Sequence, residues 1–140
     1  MVNKIVVASG YFAPLHSGHI EYLENSKKLG DILIVIVNND NQLKNKHNYL
    51  FMSCKERIKV LRALSCVDVV VESVDTDRSV CETLRILHPH IFCNGGDQFN
   101  KNIPEADICE KLGIKMVDGL GEKIQSSRDL IHNVKKSDYK

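Results

Sequence analysis

No excess charge of either sign marks this chain of 140 residues: Lys+Arg 19 stand against Asp+Glu 18, a formal net charge of +1. The basic footprint that nucleic acid or an anionic membrane surface calls for is therefore missing. No apolar run approaches the roughly 20 residues of a membrane span. The opening Met1-Val2-Asn3-Lys4-Ile5-Val6-Val7 enters a strand-like stretch directly, without the layout of a signal peptide. The five cysteines, Cys54, Cys66, Cys81, Cys93 and Cys109, are odd in number and form no C-x-x-C. A disulfide framework or zinc ribbon is not expected from them; free thiols in a reducing compartment are. Internal repeats, low-complexity tracts and linkers are missing too. What remains is 43% hydrophobic, enough for a core, and the length suits one soluble cytoplasmic domain at roughly 100–200 residues per domain.

Apolar runs of strand length alternate with stretches of helical period. Ile5–Ser9, Ile32–Val37, Val67–Val71, Ile91–Cys93 and Lys115–Val117 read as strands, the second apolar throughout as a central parallel strand should be. Between them, Ile20 and Leu23 lead to Leu29-Gly30, where Gly30 reads as a residue just past a helix end. Ser53-Cys54-Lys55-Glu56 reads as a capping box ahead of Ile58, Leu61 and Leu64. Val80, Leu84 and Leu87 mark a helix stopped by Pro89, and Pro104 opens one that ends at Leu112-Gly113. A last helix is expected from Ser126-Ser127, with 1–134 as the domain and 135–140 a frayed tail. This alternation predicts an α/β fold, a five-stranded parallel sheet with helices on both faces. Asn38 to Asn48 is polar and follows the carboxyl end of a strand, where open α/β sheets bind ligands; it reads as a mobile loop.

The stretch Ser9-Gly10-Tyr11-Phe12-Ala13-Pro14-Leu15-His16-Ser17-Gly18-His19 leaves the first strand, turns on a glycine and enters a helix. A single histidine is usually a surface or core residue. Two of them around a glycine at a strand-to-helix switch point instead to function. His16 and His19 are three apart and share a helix face. Gly18 allows close backbone approach, and the helix N-terminus offers N–H donors. The assembly suits a polyphosphate, its oxygens held by backbone donors and its charge neutralised by imidazoles. Zinc would need a third ligand that no Cys or carboxylate pattern supplies. A dinucleotide fingerprint fails because Gly10 stands without its partner glycines, and Walker A is not found.

Gly10-Tyr11-Phe12 with His16-Ser17-Gly18-His19 resembles the H-x-G-H signature of the cytidylyltransferase-like nucleotidyltransferases, in particular the glycerol-3-phosphate cytidylyltransferases and the heptose 1-phosphate adenylyltransferases. Gly121-Glu122-Lys123-Ile124-Gln125-Ser126-Ser127 is similar to the serine/threonine-rich motif near the C-terminus of that family. Asn38-Asn39-Asp40, Lys46, Glu56-Arg57 and Asn94-Gly95-Gly96-Asp97 resemble its shorter motifs, the last being the turn of the heptose type. Where the family usually has an aspartate after the phenylalanine, this chain has Ala13.

The resemblance implies a Rossmann-like sheet in the order 3-2-1-4-5 and transfer of a nucleoside monophosphate from CTP or ATP to a small phosphorylated polyol or sugar. Pyrophosphate would be released, Mg²⁺ would accompany the triphosphate, and the chain would form a homodimer. His16, His19 and Lys46 would be catalytic, the histidines donating hydrogen bonds to phosphate oxygens. Gly10, Tyr11, Phe12, Gly18, Asp97, Lys123, Gln125, Ser126 and Ser127 would bind the nucleotide, and Asn39, Arg57 and Arg128 the acceptor. Some of these have plainer readings: Lys46 as a solvated lysine, Asp97 as a turn residue, Arg57 as a partner of Glu56. A nucleotide-binding domain without turnover, suggested by Ala13, is the alternative.

Overall fold

The computed structural model describes residues 3–47, 52–95 and 103–120. Five strands, β1 (Ile5–Gly10), β2 (Ile32–Val37), β3 (Val69–Glu72), β4 (Ile91–Gly95) and β5 (Lys115–Leu120), form one sheet in the order β3-β2-β1-β4-β5. Every pairing is parallel. The expected sheet order and fold class hold. Among the described residues no helix is long and apolar enough to cross a membrane.

The helices are α1 (Ser17–Lys27), α2 (Asp40–His47), α3 (Cys54–Arg62), α4 (Cys81–Leu87) and α5 (Ala106–Leu112). Strand side chains alternate in direction, so one strand feeds two cores. Val6 and Ala8 of β1 and Leu33, Val35 and Val37 of β2 pack with Tyr22 and Leu23 of α1 and Leu61 of α3. On the other face Val7 and Ile36 pack with Leu84 of α4 and Ile108 and Cys109 of α5. The sheet is thus covered on both sides. The chain reverses its winding between β1 and β4, adjacent strands whose connections leave in opposite directions; ligands of open α/β sheets collect outside the carboxyl ends at such a point.

Two local readings are corrected. The segment after β2 is a helix, α2, in place of a mobile loop. Its start is a reciprocal cap: the Gln42 N–H donates to Asn39 Oδ1 (2.9 Å) and the Asn39 N–H to Gln42 Oε1 (3.0 Å). Leu43 anchors it, only 1 % exposed. Gly30 lies beyond the α1 cap, Lys28, and is glycine for want of space. A Cβ there would stand 2.7 Å from the Lys4 carbonyl oxygen and 2.6 Å from Val6 Cγ2.

Candidate active site

The turn after β1 is built around an aromatic ring folded back on the strand. A Cβ at Gly10 would lie 2.8 Å from Phe12 Cζ, so glycine is what lets the ring settle there. Phe12 itself sits at φ 52°, in the left-handed region that bulky residues avoid. Burial of its ring in the α1 core holds it. The ring edge meets His19 in a T-shaped contact, centroids 5.1 Å apart. From the other side Tyr22, one turn after His19, is buried and donates its hydroxyl to the Cys93 carbonyl (2.6 Å) while accepting from the Ser9 N–H (3.2 Å). This hydroxyl bridges β1 and β4 and fixes α1 at the point where the winding reverses.

His16 and His19 form the cap of α1. The Gly18 N–H donates to His16 Nδ1 (3.1 Å), and the His16 N–H donates to His19 Nδ1 (3.1 Å). A nitrogen that accepts a hydrogen bond carries no proton, so in the neutral rings the proton resides on Nε2. The backbone has thereby set both tautomers. The rings stack, centroids 3.9 Å apart. Burial, then the neighbouring His16, then Lys46 lower the His19 pKa from 6.5 to about 4, and burial lowers that of His16. At neutral pH both imidazoles of the ligand-free protein are uncharged donors through Nε2–H. Charge neutralisation by imidazolium is therefore replaced by hydrogen-bond donation.

A cation does stand nearby. Lys46 Nζ lies 4.2 Å from the centre of the Tyr11 ring. Burial first, then the Arg78 guanidinium, lower its pKa. The sequence reading missed Arg78 and Gln42. Arg78 carries no motif; Gln42 had one, the N-x-x-Q spacing of a helix cap.

Arg57 is the site residue whose expected role changes most. It is fully buried and faces neither a phosphate surface nor Glu56. Nη1 donates to the carbonyls of Tyr11 (3.0 Å) and Asn38 (2.6 Å), Nε to Met52 (3.0 Å), and Nη2 to Asp40 Oδ1 (3.0 Å). Its five donors make it suited to gathering several carbonyls. It ties the β1 turn to the end of β2 and cannot also hold an acceptor. Asn39 is likewise engaged, its Nδ2 donating to the carbonyls of Ser73 (3.0 Å) and Asp75 (2.9 Å).

The structure thus brings Gly10, Tyr11, Phe12, His16, Gly18, His19 and Lys46 together at the carboxyl end of β1. Asp97, Lys123, Gln125, Ser126, Ser127 and Arg128 lie outside the described residues. Among the described residues no group of three or more His, Cys, Asp or Glu side chains could hold a metal ion.

A family model described as cytidylyltransferase-like matches residues 7–135. The chain is similar to the bifunctional protein HldE of Syntrophotalea carbinolica, 38% identical over 126 residues that cover 84% of this chain and 25% of that protein. It is similar also to HldE of Helicobacter pylori (strain HPAG1), 41% identical over 113 residues, 78% of this chain and 24% of that protein. The chain spans about a quarter of the length of these relatives. Among solved structures, a lipopolysaccharide core biosynthesis protein from Thermoplasma volcanium GSS1 superposes with TM-score 0.70 at 31% identity, over 84% of this chain and 96% of that one. A nicotinate-nucleotide adenylyltransferase from Vibrio parahaemolyticus, described in its structure as putative, has TM-score 0.60 at 16% identity, over 99% and 90% of the two chains, a likeness of fold alone.

Proposed function

The chain belongs to the cytidylyltransferase-like family, and from that premise we propose that it transfers a nucleoside monophosphate from ATP or CTP to a small phosphorylated sugar or polyol, releasing pyrophosphate. A sugar phosphate is the favoured acceptor and ATP the favoured donor. Asn94-Gly95-Gly96-Asp97 resembles the turn of the heptose 1-phosphate adenylyltransferases, and the similar Thermoplasma volcanium protein is a lipopolysaccharide core biosynthesis protein.

An acceptor phosphate oxygen attacks the α-phosphorus in line. The new P–O bond forms as the bridge to the β-phosphate breaks, and the electron pair leaves with pyrophosphate. Such a step needs positioned donors and cations more than covalent chemistry. The observation that carries the reading is the reciprocal cap of His16 and His19. It fixes two Nε2–H groups side by side at a helix start, as donors for the oxygens on which charge grows. Lys46 supplies positive charge from α2. Mg²⁺ enters as the counter-ion of the triphosphate, and no step is assigned to it. Asp97 on the ribose, Lys123, Gln125, Ser126 and Ser127 on the phosphates, Arg128 on the acceptor, and a homodimer complete the proposal.

Pyrophosphate release from ATP and from CTP, measured over a panel of sugar and polyol phosphates, tests it. Turnover with a sugar phosphate is the expected result. Nucleotide binding without release for every acceptor would favour the silent domain that Ala13 suggests.

A further inference from the structure

Gln42 is 1 % exposed, and an amide that deep must satisfy its hydrogen-bonding groups or destabilise the fold. It satisfies all four. Oε1 accepts from Asn38 Nδ2 (3.0 Å) and the Asn39 N–H (3.0 Å). Nε2 donates to the carbonyls of Asp77 (2.5 Å) and Ser79 (2.8 Å). Of these, capping of α2 uses only the Asn39 N–H and needs nothing from the two donations. The two donations reach 35 and 37 residues along the chain, to the connection between β3 and α4.

Two cations depend on this junction. Lys46 is one helical turn after Gln42 on the same face of α2, so a docked Gln42 holds the helix from which the ammonium reaches Tyr11. Arg78 stands between the two carbonyls that Gln42 grips. Asn39 secures the same connection further back, at Ser73 and Asp75. The ion pairs among the described residues are Lys27–Asp68, Arg57–Asp40 and Arg85–Glu82, so neither Lys46 nor Arg78 has a carboxylate partner there. Arg78 disfavours the charge on Lys46. Two like charges carried on elements that one buried amide joins are an arrangement that a bound anion relieves.

We propose that Gln42 is a positioning residue: its amide docks α2 on the β3–α4 connection, so that Lys46 over Tyr11 and Arg78 on that connection serve together as cations for one phosphate group. The inference rests on the nucleotidyltransferase reading of this site. The phosphate belongs to the acceptor or to the triphosphate, and the two sources separate kinetically.

Three variants of the full chain test it: Arg78→Gln, at an exposed position, Gln42→Met, which keeps size and loses all four hydrogen bonds, and the pair combined. Arg78→Gln is expected to lower kcat/KM about 10-fold, the worth of one charge-assisted hydrogen bond. The loss falls on the acceptor KM if the acceptor phosphate is bound and on the nucleotide KM if the triphosphate is. In NMR titration without substrate, Lys46 should titrate higher in Arg78→Gln and in Gln42→Met than in the wild type. In the combined variant Gln42→Met should cost less than it does alone, because the cation it positions is gone. Should Gln42→Met not fold, Gln42→Asn, an amide one methylene too short to span both carbonyls, carries the same expectations. Wild-type kinetics and an unchanged Lys46 titration in Arg78→Gln overturn the proposal, as do effects of the two substitutions that simply multiply. A wild-type chain that releases no pyrophosphate overturns the activity reading, while the Lys46 titration still decides whether Gln42 holds the cations together.

Discussion

Arg57 and Tyr11 stand 46 residues apart in the chain and are joined by one hydrogen bond of 3.0 Å, from guanidinium Nη1 to the Tyr11 carbonyl. The same nitrogen reaches the Asn38 carbonyl at 2.6 Å, so one buried group aligns the loop after β1 with the end of β2. Asp40 balances its charge and also accepts from the Cys54 N–H at 2.6 Å. Both banks of the candidate site are set by this junction.

Removing the guanidinium should therefore act on the fold before it acts on substrate binding. Arg57→Met leaves three carbonyls without their donor, at about 1–3 kcal/mol for each that stays buried, and the part-exposed Asp40 carboxylate without its cation. Arg57→Lys should recover little of this loss, because one ammonium cannot address four acceptors in fixed directions. Chemical denaturation of the two variants checks this. A stable Arg57→Met protein with only a raised KM for the acceptor would restore the phosphate role that the sequence suggested.

The β1 turn makes a second prediction. Gly10→Ala places a methyl 2.8 Å from Phe12 Cζ, so the ring must leave its seat. Overpacking of this kind costs about 1–3 kcal/mol, and the displaced ring is the one that abuts His19. Stability and kcat should fall together. If the crystal structure of the variant showed Phe12 and His19 unmoved, with wild-type turnover, the coupling would be absent.

Much of this was legible in the sequence because the patterns involved are local. Ile32–Val37 is apolar at every position and became the interior strand β2, whereas of the H-x-G-H pair only His19 lies in α1, His16 being its extended N-cap. Asn39–His47 misled because a single leucine in nine residues gives almost no amphipathic signal. What holds α2 is polar and distant, the grip of Gln42 on Asp77 and Ser79. In sequence Arg57 stands beside Glu56, yet its partners come from Tyr11, Asn38, Asp40 and Met52. No local pattern encodes such contacts. The tautomers of His16 and His19 were hidden for the same reason: they follow from which N–H each ring accepts.

Acidification offers a third prediction through His19. Its folded pKa is about 4, against 6.5 in an unperturbed histidine. Between those values the unfolded chain binds more protons than the folded one, so stability falls as pH drops through this window and is unaffected by His19 above it. The His19 ring C–H resonances should titrate with a midpoint near 4 in the ligand-free protein. A midpoint near 6.5 would show that neither burial nor the His16 and Lys46 neighbours act on the ring.

The reciprocal cap allows structure and chemistry to be pulled apart at His16. His16→Ala removes both the acceptor for the Gly18 N–H and the Nε2 donor, so lost stability and lost turnover would be mixed in one variant. His16→Asn separates them. Asparagine is among the best N-cap residues, its side-chain oxygen taking the place of Nδ1, but it places no N–H where Nε2 was. Thermal stability should return close to that of the wild type. The missing donor should still lower kcat by about 10²-fold, as for a lost oxyanion-type hydrogen bond, with nucleotide affinity changed far less. Thermal melts and steady-state kinetics on the same preparations decide it. Recovery of kcat along with stability in His16→Asn would mean that His16 serves the reaction only as a cap, leaving His19 to carry the donation.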